Sequence, residues 1–243
     1  MTDFMRKLTQ LDQALQLPAL HVQVLDVRRV MQAVDQKIVL NRAPRPLGGI
    51  QPAQRLTPVQ QAKLKVAQQL LNSLRQYLSI QYGIWSLPNL AAAQAIKQHF
   101  NPTNVLEVMA GNAYWSKAFD AIGLKTIATD SLEWAKTSKT GSQPFFPVQD
   151  LSALAAVKSY PMADLVFCSW SPNFGHADID LIKAVRRDTD HAQLLFVGDR
   201  SGVTNTTMFW QQAELVDLSA LWDINTQFIS YDFIDEEILQ VKR

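Results

Sequence analysis

The chain is predicted to be an α/β protein with a Rossmann-like, mostly parallel sheet, a C-terminal antiparallel hairpin and an N-terminal helical segment. Three observations carry that prediction. From residue 84 onward, short apolar runs alternate with helical stretches, the rhythm of a parallel sheet covered on both faces. Before residue 84 the apolar residues follow only a helical period. At the end, QFISYDF and EILQVKR flank Ile234-Asp235-Glu236, which reads as a hairpin placing an antiparallel strand in the sheet.

In chain order, Phe4, Leu8, Leu11 and Leu15 predict a first helix, and Val24, Val27, Val30 or Met31, Val34 and Ile38 a second. Residues 41 to 58, NRAPRPLGGIQPAQRLTP, break the pattern with prolines, a Gly48-Gly49 pair and three arginines, so a loop or linker is expected there. Leu64, Ala67, Leu71, Leu74 and Leu78 mark a third helix opened by Thr57-Pro58 as cap and first-turn residue. Residues 1–83 are thus expected to form a helical appendage or lid, and 84–243 a Rossmann-like domain. A helix from Pro88 over LAAAQAIKQHF stops at Asn101-Pro102, because proline cannot continue the ladder. VLEVM, LKTIATD, ADLVFCSW and QLLFVGD then read as strands, interleaved with helices over AYWSKAFDAIG, LSALAAVKSY and DIDLIKAVRRD.

Composition narrows the function classes. A length of 243 residues, 47% of them hydrophobic and 19% charged, provides for a substantial core. The formal net charge of +1 creates no global field for nucleic acid, so an RNA acceptor is allowed but not indicated by charge. The N-terminus MTDFMRKLTQLDQAL lacks the apolar core of a signal peptide, and no run reaches membrane-spanning length, so no membrane partner is expected. A single cysteine, Cys168, allows no internal disulfide, and no pair or cluster of cysteines suggests a metal site. Together these point to a cytoplasmic protein in a reducing compartment.

Ligands of open α/β sheets bind beyond the carboxyl ends of the strands. There the sequence places Glu107 to Gly111, Asp130, Asp150, Ser169 to Phe174, and Asp199. Glu107 stands inside an apolar run, where a carboxylate is costly unless something uses it. Asp130 follows Gly111 by about twenty residues, a spacing suited to accepting ribose hydroxyl protons. Tyr82, Trp85, Tyr114, Trp115 and Trp170 supply aromatic faces for a cationic group.

Glu107-Val-Met-Ala-Gly111-Asn-Ala113-Tyr-Trp115 resembles the first motif of class I S-adenosylmethionine-dependent methyltransferases, an acid, a spacer and a glycine-rich turn. Asp130 matches that family's acid after the second strand, Gln149-Asp150-Leu151 its adenine-contacting segment, and Cys168-Ser-Trp-Ser-Pro172 its motif after the fourth strand. The resemblance covers roughly residues 84 to 243, including the terminal antiparallel hairpin, and implies a Rossmann-like, mostly parallel seven-stranded sheet there. It implies S-adenosyl-L-methionine as cofactor, bound by Tyr82, Trp85, Glu107, Ala110, Gly111, Tyr114, Asp130, Ser131, Asp150, Leu151, Ser169 and Trp170. Within these, Glu107 would orient the turn and the methionine end, Asp130 would hold the ribose, and Asp150 with Leu151 would bind adenine. Ser171-Pro172-Asn173-Phe174 resembles the short motif of amino-group methyltransferases, which implies Ser171, Pro172 and Phe174 facing an acceptor, with His176 as a base. Met109 and Ala113 stand where the family has glycine, leaving Gly111 as the one glycine of three.

Other readings compete residue by residue. Glu107 could cap a neighbouring helix; Asp130 and Asp150 could be turn residues; Tyr82 and Trp85 could pack the appendage onto the sheet. Trp115, Phe119 and Ile122 fall at helical spacing and read as core, and Cys168 as buried packing. Arg186-Arg187 read as solvated charge. The function expected is methyl transfer to an unidentified acceptor, with an amine as one candidate. The alternatives are a non-catalytic interaction protein that keeps the fold, and an NAD-dependent enzyme. The last fits less well: taking Gly111 as the first glycine of GxGxxG puts Ala113 and Ser116 at the other two positions, where a pyrophosphate needs close backbone approach.

Overall fold

The computed structural model describes residues 2–136, 140 and 143–242. Four helices come first: α1 (Asp3–Leu15), α2 (Pro18–Asp35), α3 (Pro58–Asn72) and α4 (Leu74–Tyr82). Thr57 and Gln60 form a capping box that satisfies the first free amides of α3, as the Thr57-Pro58 pair predicts. The expected single third helix is instead two. Ser73 leaves the helical region at φ −91° and ψ 5°, and its hydroxyl turns back onto the Leu70 carbonyl, which ends α3 and starts α4. The second helix stops at Asp35, short of Ile38, which is exposed.

The segment 41–57 has no regular structure, but it is not a free tether. Leu47, Ile50 and Leu56 are buried among the helices, the Gln23 side chain grips both backbone polar groups of Gly48, and the Leu47 amide donates to the Tyr231 carbonyl at 2.8 Å. Tyr114, Phe145 and Tyr231 join the same apolar cluster as the helices of residues 3–82, so one core runs from that segment onto the sheet.

The remaining chain alternates strand and helix: α5 (Leu90–Phe100), β1 (Asn104–Val108), α6 (Tyr114–Ala121), β2 (Lys125–Asp130), β3 (Val148–Asp150), α7 (Ala153–Ser159), β4 (Leu165–Ser169), α8 (Ala177–Asp188), β5 (Gln193–Asp199), α9 (Thr207–Gln212), α10 (Trp222–Asn225) and β6 (Glu236–Val241). The strand order is β3-β2-β1-β4-β5-β6, parallel except for β6, which runs antiparallel to β5. Residues of α7, α8 and α9 pack one face, and those of α5, α6 and α10 the other. Strands buried on both sides explain the nearly continuous apolar runs at Leu165–Ser169 and Gln193–Asp199.

Among the described residues the sheet has six strands, not the seven expected. The C-terminal antiparallel strand is present as β6, but residues 227–233 do not enter the sheet. Asp232 lies in that stretch and is drawn to Arg75 of α4, and the Ser230 hydroxyl donates to the Ile234 carbonyl, folding the segment into turns. A charged side chain held by a residue 157 positions away outweighs the strand propensity of Phe228, Ile229 and Tyr231.

Candidate functional site at the carboxyl edge of the sheet

The order reverses between β1 and β4, and in open α/β sheets ligands bind beyond the carboxyl ends of the strands at such a reversal. Beyond β1 the backbone takes the left-handed conformation three times, at Met109 (φ 51°), Gly111 (φ 53°) and Ala113 (φ 56°). These are the positions where the resembled family carries glycine. The turn therefore keeps glycine geometry with two side chains in place, at a cost of about 1–2 kcal/mol for each left-handed L-residue. Neither side chain lies across the turn. Met109 packs with the apolar residues on the α7–α8 face, and the Ala113 methyl is buried beside Ala110 and Ala128. A Cβ built on Gly111 would meet nothing within 4 Å, so its outer side is open.

Two carboxylates hold the turn. Asp130, at the end of β2, accepts from the Gly111 amide at 2.9 Å through one oxygen and from the Leu132 amide at 2.8 Å through the other. A carboxylate has about four acceptor positions, so these two amides do not exhaust its acceptor capacity. Glu107 is fully buried and accepts from the Ser116 amide at 2.7 Å and from the Ser116 hydroxyl. Ser116 is the third residue of α6, whose capping position is Ala113 and offers no side-chain acceptor. Glu107 therefore caps α6 from the neighbouring strand, where the helix dipole favours an anion. Its other oxygen has no protein partner. Burial, reinforced by the nearby Asp130 charge and opposed by the Ser116 hydrogen bonds, pushes the Glu107 pKa up to about 8.

The other sequence-predicted residues divide by location. Ala110 donates its amide to the Thr129 carbonyl at 3.0 Å, tying the turn to β2, and Leu151 donates to the Asp130 carbonyl at 3.0 Å. Asp150 pairs with Asp130 across β2 and β3, and its side chain, like that of Ser131, is exposed at the edge. Tyr114 is not a free ligand group: it is buried against Phe145, with ring centroids 4.2 Å apart, and donates its hydroxyl to the Ile38 carbonyl at 2.7 Å. The Tyr82 hydroxyl is likewise committed, donating to Asp35 at 2.5 Å. The Tyr82 carbonyl accepts from the Asn112 side chain, so the helical segment touches the turn directly. Gly83, at φ 67°, permits that approach, since a Cβ there would lie 2.5 Å from the Asn112 amide nitrogen. Trp115 and Phe119 are core residues, packed with Phe167.

Beyond β4 the chain turns at Trp170, a left-handed tryptophan at φ 56° whose amide donates to Val197 at 3.0 Å. Ser169 sits at the strand end and is half-buried, while Ser171 is buried with an unpartnered hydroxyl. Pro172, Phe174 and His176 are exposed on the loop that follows, with Phe174 76% exposed. The Trp170 indole donates to Glu236 at 2.6 Å and stacks on Trp85, with centroids 5.5 Å apart. Arg75 completes the cluster. Its guanidinium forks onto Asp232 at 2.7 and 2.9 Å, donates to Glu236 at 2.8 Å and to the Trp85 carbonyl at 2.6 Å, and lies 5.0 Å from the Trp170 ring centroid.

Sequence reasoning missed Arg75, Asn112, Asp232 and Glu236. Only Arg75 left a signal: it falls three residues before Leu78, on the apolar stripe of its helix, where a charge must find a buried partner. Among the described residues no group of three or more His, Cys, Asp or Glu is placed to hold a metal ion, and no helix is long and apolar enough to cross a membrane.

No protein-family profile matches the chain, and no curated protein does. Among solved structures it is similar to the plantazolicin methyltransferase BpumL in complex with SAH, at 11% identity and a TM-score of 0.36, over 57% of this chain and 56% of BpumL. The chain thus spans little more than half the length of that protein. It is also similar to a Staphylococcus aureus protein assigned as a caffeoyl-CoA O-methyltransferase, at 13% identity and a TM-score of 0.38, over 75% of this chain and 98% of the other. A Nostoc punctiforme protein assigned as an O-methyltransferase matches 91% of this chain and 71% of its own, at 13% identity and a TM-score of 0.37. At such values the likeness is remote, and these neighbours are methyltransferases by name.

Proposed function

We propose that the chain is an S-adenosylmethionine-dependent methyltransferase whose cofactor lies over the 109–113 turn. One observation carries the reading. The left-handed backbone at Met109, Gly111 and Ala113 is preserved at the cost of strain in two side-chain-bearing residues, and Asp130 is drawn onto its central amide. Strain of this kind persists where the surroundings fix it, and it collects at ligand sites. The residues suit the cofactor: Asp130 retains acceptor capacity for ribose hydroxyls, Leu151 and Asp150 offer an apolar wall and an acceptor for adenine, and the unpartnered Glu107 oxygen supports the methionine end through the turn. S-adenosylmethionine supplies an already activated methyl group. The protein therefore needs no nucleophile of its own; its part is to position the acceptor and exclude water. On this reading Ser171, Pro172, Phe174 and His176 border the acceptor, an amine being one candidate.

Isothermal calorimetry with S-adenosylmethionine and S-adenosylhomocysteine tests the proposal. Binding of either, weakened by Asp130→Ala, is the expected result. Absence of binding to both at millimolar concentration would overturn it, and binding of NAD in their place would favour the alternative of an NAD-dependent enzyme.

A further inference from the structure

We propose that Trp85, backed by Trp170, is a stacking platform for a planar, uncharged aromatic acceptor, and that Arg75 is the residue that positions it. The methyltransferase reading above gives the platform its use, while its construction is independent of that reading. Trp85 follows α4 and is 54% exposed, yet its indole is stacked on Trp170 with an interplanar angle of 27°. An exposed loop tryptophan is ordinarily free to turn; this one is clamped, because Arg75 holds its carbonyl at 2.6 Å while Trp170 holds its ring. Trp170 is itself fixed by the indole bond to Glu236 and by the guanidinium 5.0 Å from its centroid, which together maintain a left-handed tryptophan against its steric cost. Arg75 reaches Glu236, Asp232, Trp170 and Trp85 at once, so one side chain of the helical segment sets the whole platform.

Location and charge define the ligand. Trp170 directly follows β4, and Glu236 pairs with Asp199 at the end of β5, so the stack stands on the carboxyl edge that the site occupies. Phe174 and Phe233, both 76% exposed, emerge from loops on the same edge. A rigid aromatic surface of this kind stacks planar rings at small entropic cost. Arg75 already occupies the Trp170 π system with positive charge, which disfavours a cationic ring and favours a neutral one.

The test uses the full chain and a matched pair of neutral probes, 2-naphthol and decahydro-2-naphthol, followed through the indole N–H resonances of Trp85 and Trp170. The expected result is that 2-naphthol shifts both signals and binds at least about fivefold more tightly than its saturated analogue, and that Trp85→Ala abolishes this preference. Equal binding of the two probes, or a preference that survives Trp85→Ala, overturns the platform. Arg75→Lys keeps a charge beside Glu236 and Asp232 but loses the fork. It should move the Trp170 indole resonance and weaken 2-naphthol about fivefold, and unchanged values would remove Arg75 from the proposal. Should the lysine variant fail to fold, Trp170→Phe, which removes the indole bond to Glu236 and shrinks the ring behind Trp85, should weaken 2-naphthol instead, and no change would be decisive against the backing role. Wild-type protein that binds 2-naphthol at Trp85 but no S-adenosylhomocysteine would keep the platform and sink the methyltransferase reading; the reverse result would keep the reading and sink the platform.

Discussion

The two halves of the carboxyl edge are built in different ways. At β1 and β2 the site is backbone, shaped by carboxylates that reach across short sequence distances: Glu107 to Ser116 over 9 residues, and Asp130 to Gly111 over 19. At β4, β5 and β6 it is side chains, gathered from distant parts of the chain: Arg75 meets Asp232 across 157 residues and Glu236 across 161. The first half uses acids as acceptors for amides, the second as partners of a buried cation. Local construction leaves a motif; long-range construction leaves a charge in an apolar stripe and little else.

This contrast can be broken most severely at Arg75. Arg75→Ala leaves Asp232 and Glu236 buried without their cation, and should cost about 3–5 kcal/mol of unfolding free energy in urea titration. A loss under about 1 kcal/mol would mean that the cluster does not hold α4 onto the sheet. Asp130→Ala acts on the other half: it strands the Gly111 and Leu132 amides and should cost about 1.5–3 kcal/mol, together with cofactor affinity by calorimetry. Stability lost with affinity kept would make Asp130 a turn residue alone.

Glu107 sharpens the comparison through pH. Its folded pKa, about 8, lies above the usual glutamate value of about 4.3. The native state therefore holds the proton that the unfolded chain releases, and the stability this contributes is present below about 4.3 and is lost as pH rises to about 8. Relative to Glu107→Gln, the wild type should lose up to about 1.4 kcal/mol per pH unit between about pH 6 and 7.5. Parallel curves for the two proteins would show that the carboxylate is not so deeply desolvated. The smallest effect is expected at Ala113. Ala113→Gly relieves left-handed strain but adds backbone entropy and removes a buried methyl, for a net change within about 1 kcal/mol. Ala113→Val, by contrast, forces a β-branched residue into that conformation and should be clearly destabilising by thermal melting.

The parallel sheet, the helices on its faces and the strand-turn-helix unit at β1 could be read from periodicity and from one local motif, because each follows from neighbours in sequence. Thr57 capped its helix as expected, and Trp115 and Phe119 fell in the core. The capping role of Glu107 was one of two readings open to the sequence; geometry gives one oxygen to the helix and leaves the other unpartnered. What failed was tertiary. The split at Ser73 turned on a hydroxyl finding a carbonyl, and the seventh strand was lost because Asp232 is taken by Arg75.

By itself, then, the sequence determined the β1-turn-α6 unit and the acid at the end of β2. Hydrophobic period and short-range hydrogen bonding act over a few turns of chain, and they need no knowledge of what packs above them. Only the tertiary structure decided that the N-terminal helices reach the site. That depends on where a single guanidinium finds two carboxylates and an aromatic face, and burial makes such a meeting costly unless every partner is present at once.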